Sequence, residues 1–124
     1  MEQIFTNKAP KVIGPYSQAI KSGGYVFCSG QIAIDPITNE FKQGTIVDQT
    51  ERVIQNLKAI LEAANASIEK TVKVTVYLSD IDDFTAMNEI YAEHFFHNPS
   101  RSTVEVSRLP KGAKVEIDVI AECS

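Results

Sequence analysis

Tryptophan is absent from this 124-residue chain, and cysteine occurs only twice. Cys28 and Cys123 lie far apart and match neither a metal-binding nor a redox spacing, so we expect both thiols to be reduced and structural. No apolar run approaches the ~18 residues that a membrane-spanning helix needs, and the N-terminus carries no apolar signal segment. These absences predict a soluble cytoplasmic protein with no membrane partner.

An excess of basic residues is also lacking. Twelve Lys and Arg against sixteen Asp and Glu give a net charge of −4, which does not draw a protein as a whole to nucleic acid or acidic membranes. A local basic patch remains open. The length suffices for one domain with a real core and is too short for two. Because no repeat or linker interrupts the chain, we predict a single domain over residues 1–124.

Several catalytic motifs are missing as well. Residues 22–24 are too short for a phosphate-binding glycine loop and sit between strands. No serine occupies a G-x-S-x-G elbow, and the zinc-deaminase signatures H-x-E and P-C-x-x-C do not occur. His94 and His97 are three residues apart near a helix end, but a metal there would still need a further ligand. We therefore predict a site without a metal and interpret these histidines as a solvated helix end.

Hydrophobic periodicity predicts strands, a helix, a strand, a second helix and a terminal hairpin. Asp48 and Glu51 have capping-box spacing at the first helix, and Asp82-Asp83 is expected to cap the second. Leu109-Pro-Lys-Gly112 has the composition of a turn, so the flanking β-branched runs predict an antiparallel hairpin. The predicted elements are strands 3–6, 17–21 and 25–29, a helix from 48 to about 65, strand 71–78, a helix over 84–96, and strands 101–106 and 114–121.

Two helices packed on one face of a sheet leave the other face uncovered. A face that mixes aromatic and charged residues is a poor solvent face, so we predict an oligomer interface with polar pockets there. Judged from alternation alone, this face includes Thr75, Tyr77, Thr103, Glu105, Glu116 and Asp118.

The C-terminal segment contains the two strongest candidates for functional residues, Arg101 and Glu116. Arg101 stands at the mouth of a strand, and its planar guanidinium fits a carboxylate or phosphate with two parallel bonds. An equally good interpretation is a structural salt bridge to Glu93, Glu105 or a neighbouring subunit. Glu116 has apolar neighbours along its strand, so burial is expected to raise its pKa and a nearby Arg101 to lower it. Such a carboxylate can hold a water and pass a proton; the alternative is a rim carboxylate or an interfacial ion pair.

Four further positions are candidates for binding. Tyr16 follows a rigid Gly-Pro and either donates a hydrogen bond from a fixed position or packs at a subunit contact. Ser29 and Gly30 end a strand, where free backbone N–H groups can bind an oxyanion, or they form a plain strand end. Asn88 lies beside the apolar stripe of the second helix and either contacts substrate or bonds to backbone.

At these residues the sequence resembles the RidA, or YjgF, family of reactive intermediate deaminases. The resemblance covers nearly the whole chain, and the terminal segment matches the family signature. The segments that carry it are Gly14-Pro-Tyr-Ser-Gln18, Ser29-Gly-Gln31, Met87-Asn-Glu-Ile-Tyr91, Pro99-Ser-Arg-Ser-Thr-Val-Glu-Val106, Leu109-Pro-Lys-Gly112 and Val115-Glu-Ile117.

The resemblance implies a chorismate-mutase-like α+β fold, with a mixed sheet and two helices on one face. It also implies a homotrimer with pockets at the subunit interfaces. The implied activity is cofactor-free hydrolysis of 2-imino acids and their enamine tautomers, such as 2-iminobutanoate and 2-iminopropanoate, to 2-keto acids and ammonia. Pyridoxal-phosphate enzymes release these intermediates when they dehydrate serine or threonine.

The family's functional positions carry over one at a time. The arginine that binds the substrate carboxylate matches Arg101, and the glutamate that holds the attacking water matches Glu116. The family positions that line the pocket match Tyr16, Ser29, Gly30, Asn88 and Thr103. The last is often cysteine in relatives, so redox regulation is in doubt here, whereas a contact through its backbone is not.

Two other functions stay open from the sequence. Relatives have been described as ribonucleases that inhibit translation, although the acidic charge and the lack of an aromatic and basic stripe argue against RNA binding here. A binding or chaperone-like trimer that senses a keto or imino acid without turnover is the third.

Overall fold

The computed structural model describes all 124 residues and contains six strands and two helices. Short 3₁₀ turns occupy 68–70, 81–83 and 110–112. The strands and helices, in chain order, are β1 (Glu2–Ile4), β2 (Ala19–Ser22), β3 (Tyr25–Gln31), α1 (Ile46–Ala63), β4 (Thr71–Leu78), α2 (Phe84–His94), β5 (Ser100–Glu105) and β6 (Val115–Glu122).

All six strands form one mixed sheet in the order β1-β2-β3-β6-β4-β5. β6 lies in the middle and pairs antiparallel with both β3 and β4. β5 is an edge strand that pairs parallel with β4, after the chain has crossed over through α2. Both helices pack on one face of the sheet, so the predicted α+β class and its layering are confirmed.

The predicted terminal hairpin is wrong, because β4 separates β5 from β6. The connection between them runs over residues 106–114, with a 3₁₀ turn in which Lys111 adopts a positive φ of 57°. A hairpin loop usually has two to five residues, whereas a strand–helix–strand unit places its strands parallel. The β4–α2–β5 succession therefore decides the pairing, not the turn that follows it.

Helix α1 begins two residues earlier than predicted. Thr45 is its N-cap, and the Thr45 hydroxyl accepts a hydrogen bond from the Asp48 backbone N–H. Asp48 thus lies inside the first turn, where a carboxylate favours the helix dipole. At α2, the side chain of Asp80 caps the preceding 3₁₀ turn, while Asp83 makes no side-chain cap. Neither helix is long and apolar enough to cross a membrane.

The core lies between the helices and the sheet. Its helix side is the predicted α1 stripe together with Met87 and Tyr91 of α2 and Phe95, which directly follows α2. Its sheet side is every second residue of the central strands. A register shift at the start of β4 turns Thr71 inward and leaves Val72 partly exposed, against the predicted alternation. Cys28 is buried in this core, and burial raises the pKa of its thiol to about 12.

The opposite face of the sheet is uncovered in the chain. Phe27 and Tyr25 of β3 remain 45% and 41% exposed there, beside the Tyr77–Asp118 hydrogen bond of 2.9 Å. We predicted Thr103 and Glu105 on this face, and that prediction is wrong. They pair with the buried residues Val76 and Leu78 and therefore lie on the helix side of the sheet. The error follows from the hairpin, since parallel pairing with β4 sets which residues of β5 face the helices.

Candidate functional site

A groove of about 500 Å³ opens where the loop before β2 passes the ends of β3 and β6. It brings together four of the predicted site residues on three separate segments of the chain. The loop that starts near Pro10 forms one wall, and the 3₁₀ turn after β5 contributes another edge. The predicted residues in the groove are Tyr16, Ser29, Gly30 and Glu116.

Glu116 is the chemically distinctive side chain of this groove. Burial, and secondarily the negative charge of Asp118, raise the pKa of its carboxyl above 4.5. No hydrogen bond or ion pair stabilises the carboxylate, although Lys11 and Lys111 line the same groove. A carboxylate whose pKa is raised by burial is suited to accept a proton from a bound water.

Gly30 allows Glu116 to lie against the backbone of β3. A Cβ atom placed on Gly30 would overlap the Glu116 carboxylate and come within 2.9 Å of its carboxyl carbon. The backbone of Gly30 does not have a positive φ, so space rather than conformation requires glycine here. From the sequence, Gly30 was a candidate because its backbone N–H could bind an oxyanion. The structure adds a steric role, since only glycine leaves room for the Glu116 carboxylate.

Ser29 is held by the protein itself. Its backbone N–H donates to the Gln18 carbonyl over 2.9 Å, and its hydroxyl donates to the Ser17 carbonyl over 2.6 Å. The expectation that β3 ends at Ser29 with a free N–H is therefore wrong, since the strand continues to Gln31. Ser29 fixes the neighbouring loop, and this loop presents Tyr16, a residue that is 56% exposed, at the groove.

Arg101 lies in a second cavity of about 410 Å³, lined by residues of α2 and by the turn that precedes β5. Its guanidinium donates to the side-chain oxygen of Asn88 over 2.7 Å. The two ion pairs of the structure join other residues, so the predicted salt bridge to Glu93 or Glu105 is not formed. The guanidinium charge is thus available to an external anion.

Sequence reasoning missed two aromatic residues of this cavity region. The guanidinium carbon of Arg101 lies 4.6 Å from the ring centre of Tyr91 and 5.5 Å from that of Phe84. Burial raises the pKa of the Tyr91 hydroxyl, and the Arg101 charge opposes that rise. Tyr91 follows Asn88 by three positions on α2, a spacing that puts both on one helix face and was a signal in the sequence.

The groove and the cavity do not meet within one chain. Arg101 pairs with Val74 and therefore points to the helix side, whereas Glu116 pairs with Tyr77 and points to the open face. Two strand spacings of about 4.8 Å and three residues of about 3.3 Å along β4 separate their Cα atoms by roughly 14 Å. The expectation that Arg101 lies close enough to lower the pKa of Glu116 is not met.

Three other predicted positions lie outside both cavities. Thr103 faces the same side as Arg101, and its buried hydroxyl has no hydrogen-bond partner. His94 bonds to Glu51 across the two helices over 2.9 Å, while His97 bonds to the backbone carbonyl of Thr71. The two histidines thus contact different elements, and each joins parts of the fold rather than forming a solvated end.

The groove with Glu116 and the cavity with Arg101 are called the two half-sites below. Together with the fold they define a class: an α+β sheet protein that presents an arginine without a carboxylate partner and a carboxylate of raised pKa on separate surfaces. The family model described as Endoribonuclease L-PSP matches residues 6–123. A RutC family protein of Pyrococcus abyssi is 60% identical over 97% of this chain and 95% of its own length. The protein named Reactive Intermediate Deaminase A, chloroplastic, of Arabidopsis thaliana is 46% identical over 97% of this chain and 65% of its own length.

Among solved structures, E. coli TdcF with bound serine superposes with a TM-score of 0.94 at 41% identity, and the match covers all of both chains. The chain therefore belongs to the RidA, or YjgF, family, whose family model carries the L-PSP description. That family includes a protein named as a deaminase, and one of its members has been crystallised with a small amino acid.

Proposed function

We propose that this protein is a cytoplasmic hydrolase that converts 2-imino acids, such as 2-iminobutanoate and 2-iminopropanoate, to 2-keto acids and ammonia without a metal or cofactor. The observation that carries the proposal is Arg101, a guanidinium with no carboxylate partner at the wall of a cavity. A guanidinium without a carboxylate partner in the protein can bind the carboxylate that every such substrate carries.

The site is shared between subunits of a homotrimer. Arg101 and Glu116 point to opposite faces of one sheet, so one subunit cannot bring both to a three-carbon or four-carbon acid. A second copy that covers the open face of the first would bury its exposed aromatic residues and carry its own half-site with it. The exposure of Phe27 and Tyr25 supports such packing.

The chemistry follows from the two groups. Arg101 binds the substrate carboxylate with charge-assisted bonds that contribute roughly 1.5–3 kcal/mol each. Glu116 takes a proton from a water as the water oxygen bonds to C2 of the iminium. Glu116 returns this proton to the nitrogen of the resulting carbinolamine. The C–N bond then breaks as Glu116 takes the proton of the carbinolamine hydroxyl and C2=O forms, and the departing ammonia carries that proton away as ammonium. An enamine first gains a proton at C3 to become the same iminium.

Little further catalysis is required, because the free imino acid already hydrolyses in water. Positioning and one general base, which typically contributes 10²–10⁴-fold, suffice for a useful rate. Tyr16, Gly30, Asn88 and Thr103 then act by shaping the pocket and by orienting the carboxylate. Ser29 acts through the loop that it holds, since its own donors are engaged.

A coupled assay tests the proposal. Threonine dehydratase generates 2-iminobutanoate beside a scavenging amine, and the release of 2-oxobutanoate is followed with wild-type protein and with Arg101→Ala. Faster release with wild type, lost in the variant, supports the deaminase. Binding of 2-oxobutanoate without acceleration contradicts it and favours a sensor of small acids.

The L-PSP description of the family makes RNA the second candidate substrate. The net charge of −4 argues against this candidate, because RNA binding relies on a basic surface. Cleavage of single-stranded RNA by the wild type, abolished by Glu116→Gln, would favour this candidate over the deaminase. We expect no cleavage above that of the variant.

A further inference from the structure

Three side chains of α2 contact the guanidinium of Arg101. Asn88 accepts a hydrogen bond from one terminal nitrogen over 2.7 Å. The ring of Tyr91 lies 4.6 Å from the guanidinium carbon, and the ring of Phe84 lies 5.5 Å away. Both distances are within the range in which a guanidinium is attracted to an aromatic face.

Such contacts matter because arginine is a long side chain with many rotamers. If a ligand-binding arginine is mobile before the ligand arrives, it loses side-chain conformational entropy on binding. This loss weakens the affinity for the ligand. An aromatic support orders the guanidinium in advance without an anion that would compete with the ligand. A carboxylate in the same place would neutralise the charge that the ligand needs.

The hydroxyl of Tyr91 does not explain why a tyrosine stands here. It is buried and makes no hydrogen bond of ordinary geometry, although it lies close enough to the Arg101 guanidinium for that group to lower its pKa. A buried hydroxyl without a well-formed hydrogen bond costs stability. The ring, in contrast, has two contacts: it stacks on Phe95 with 4.5 Å between ring centres, and it supports Arg101. The aromatic face is therefore the part of Tyr91 that the site uses.

We infer that Tyr91, assisted by Phe84, is a positioning residue that orders the Arg101 guanidinium for a carboxylate ligand through its ring and not through its hydroxyl. The inference rests on the proposed function for the identity of the ligand. The order of the guanidinium itself can be measured without any ligand.

The first readout is the side-chain Nε–H signal of arginine in ¹⁵N NMR. The chain has three arginines, and two of them serve as internal references. Arg52 donates through Nε to Asn56 over 3.2 Å, whereas Arg108 is exposed and has no side-chain bond. We expect Arg101 to be as ordered as Arg52 in the wild type and in Tyr91→Phe, and as mobile as Arg108 in Tyr91→Leu.

The second readout is affinity for 2-oxobutanoate by calorimetry, together with KM and kcat in the dehydratase-coupled assay. Tyr91→Leu should raise Kd and KM by roughly three- to thirtyfold, the range of a cation–π contact, while kcat changes little. Tyr91→Phe should stay within about twofold of wild type and melt at the same or a higher temperature, because it removes an unpartnered hydroxyl.

Two further variants keep the test decisive if Tyr91→Leu folds poorly. Phe84→Leu, at a half-buried position, should raise Kd in the same direction by a smaller factor. In an Arg101→Ala background neither leucine variant should weaken binding further, since both act through Arg101.

The outcomes separate this inference from the proposed function. An Arg101 signal as mobile as that of Arg108 in the wild type overturns the inference, as does equal loss of affinity in Tyr91→Phe and Tyr91→Leu. If wild-type protein neither turns over imino acids nor binds 2-oxobutanoate, the proposed function fails, and the NMR comparison still decides whether the aromatic rings order the guanidinium.

Discussion

The two halves of the candidate site control charge in opposite ways. In the groove, burial and a like charge make the ionised form of Glu116 costly, so that its pKa rises and the carboxylate becomes a better base. In the cavity, aromatic faces and an amide oxygen hold the Arg101 cation without neutralising it. Under the proposed function, Glu116 exchanges a proton and Arg101 binds an anion.

This contrast predicts that the halves separate in kinetics. Changes in the groove should act mainly on kcat, because they alter the proton transfer. Changes in the cavity should act mainly on KM, because they alter how the carboxylate is bound. A mutation that breaks this division would show that the two regions do not have the roles assigned to them.

Replacing Glu116 by Gln should give the largest effect. The amide cannot accept the proton, so kcat should fall by about 10²–10⁴-fold with little change in KM. Asp118→Asn, two residues along the same face of β6, is the matched control and should retain most activity at pH 8. Equal losses in both variants would mean that charge on this face, and not the base itself, is required.

Arg101→Lys comes next. An ammonium group cannot form the two parallel bonds of the guanidinium or stack in the same way, so kcat/KM should fall by roughly 10- to 100-fold, as expected for one lost charge-assisted bond. Arg108→Lys provides the control at an exposed position. Wild-type kcat/KM in Arg101→Lys would refute the carboxylate-binding role.

Gly30→Ala should have an intermediate effect through geometry alone. The new methyl group overlaps the Glu116 carboxylate, which must turn away, and we expect kcat to fall about tenfold, as a displaced catalytic group would cause. Gly44→Ala, which also lacks a positive φ, meets only the side chain of Asp48 at 3.4 Å and should be nearly silent. An unchanged kcat in Gly30→Ala would show that the position of Glu116 is not critical.

The smallest effect is a shift in pH dependence. Since Glu116 must be ionised to act as a base and its pKa is raised, kcat should fall with decreasing pH at values above the ordinary glutamate range. Asp118→Asn removes the like charge and should move this acid limb to lower pH. A limb that does not move would exclude Asp118 as a determinant of the Glu116 pKa.

Stability should respond to pH with the opposite sign. A carboxyl whose pKa is higher in the folded than in the unfolded state binds its proton more tightly when folded, so its contribution to stability falls as pH rises through the interval between the two values. Glu116→Gln removes this effect and should melt at a higher temperature than wild type at neutral pH. A lower melting temperature in thermal denaturation would contradict the burial of the charge.

The sequence predicted the class of fold and the helix stripes, because those depend on local periodicity. The turn signal Ser22-Gly-Gly24 correctly indicates the β2–β3 hairpin, but the sequence did not predict how the later strands pair. The β-branched runs around Leu109–Gly112 are compatible with a hairpin, yet β6 inserts between β3 and β4, a choice that depends on the whole sheet. The seven residues between the two predicted strands were already long for a hairpin loop.

The candidate residues were located by motif, and their arrangement was not. Glu116 lies in the groove and Arg101 in the second cavity, but only the register along β4 reveals that they face opposite sides of the sheet. Ser29 was expected to offer a donor and instead bonds to its neighbours. Such details depend on contacts between distant segments, which periodicity cannot supply.

The most direct test of the account is subunit complementation. Arg101→Ala and Glu116→Gln proteins, each inactive, are unfolded together, refolded as an equal mixture and assayed for release of 2-oxobutanoate. If each site takes Arg101 from one subunit and Glu116 from another, about a quarter of the sites in a random mixture regain both groups, and about a quarter of wild-type activity returns. If activity stays at the level of the separate variants, the site is not shared between subunits and the central claim is wrong.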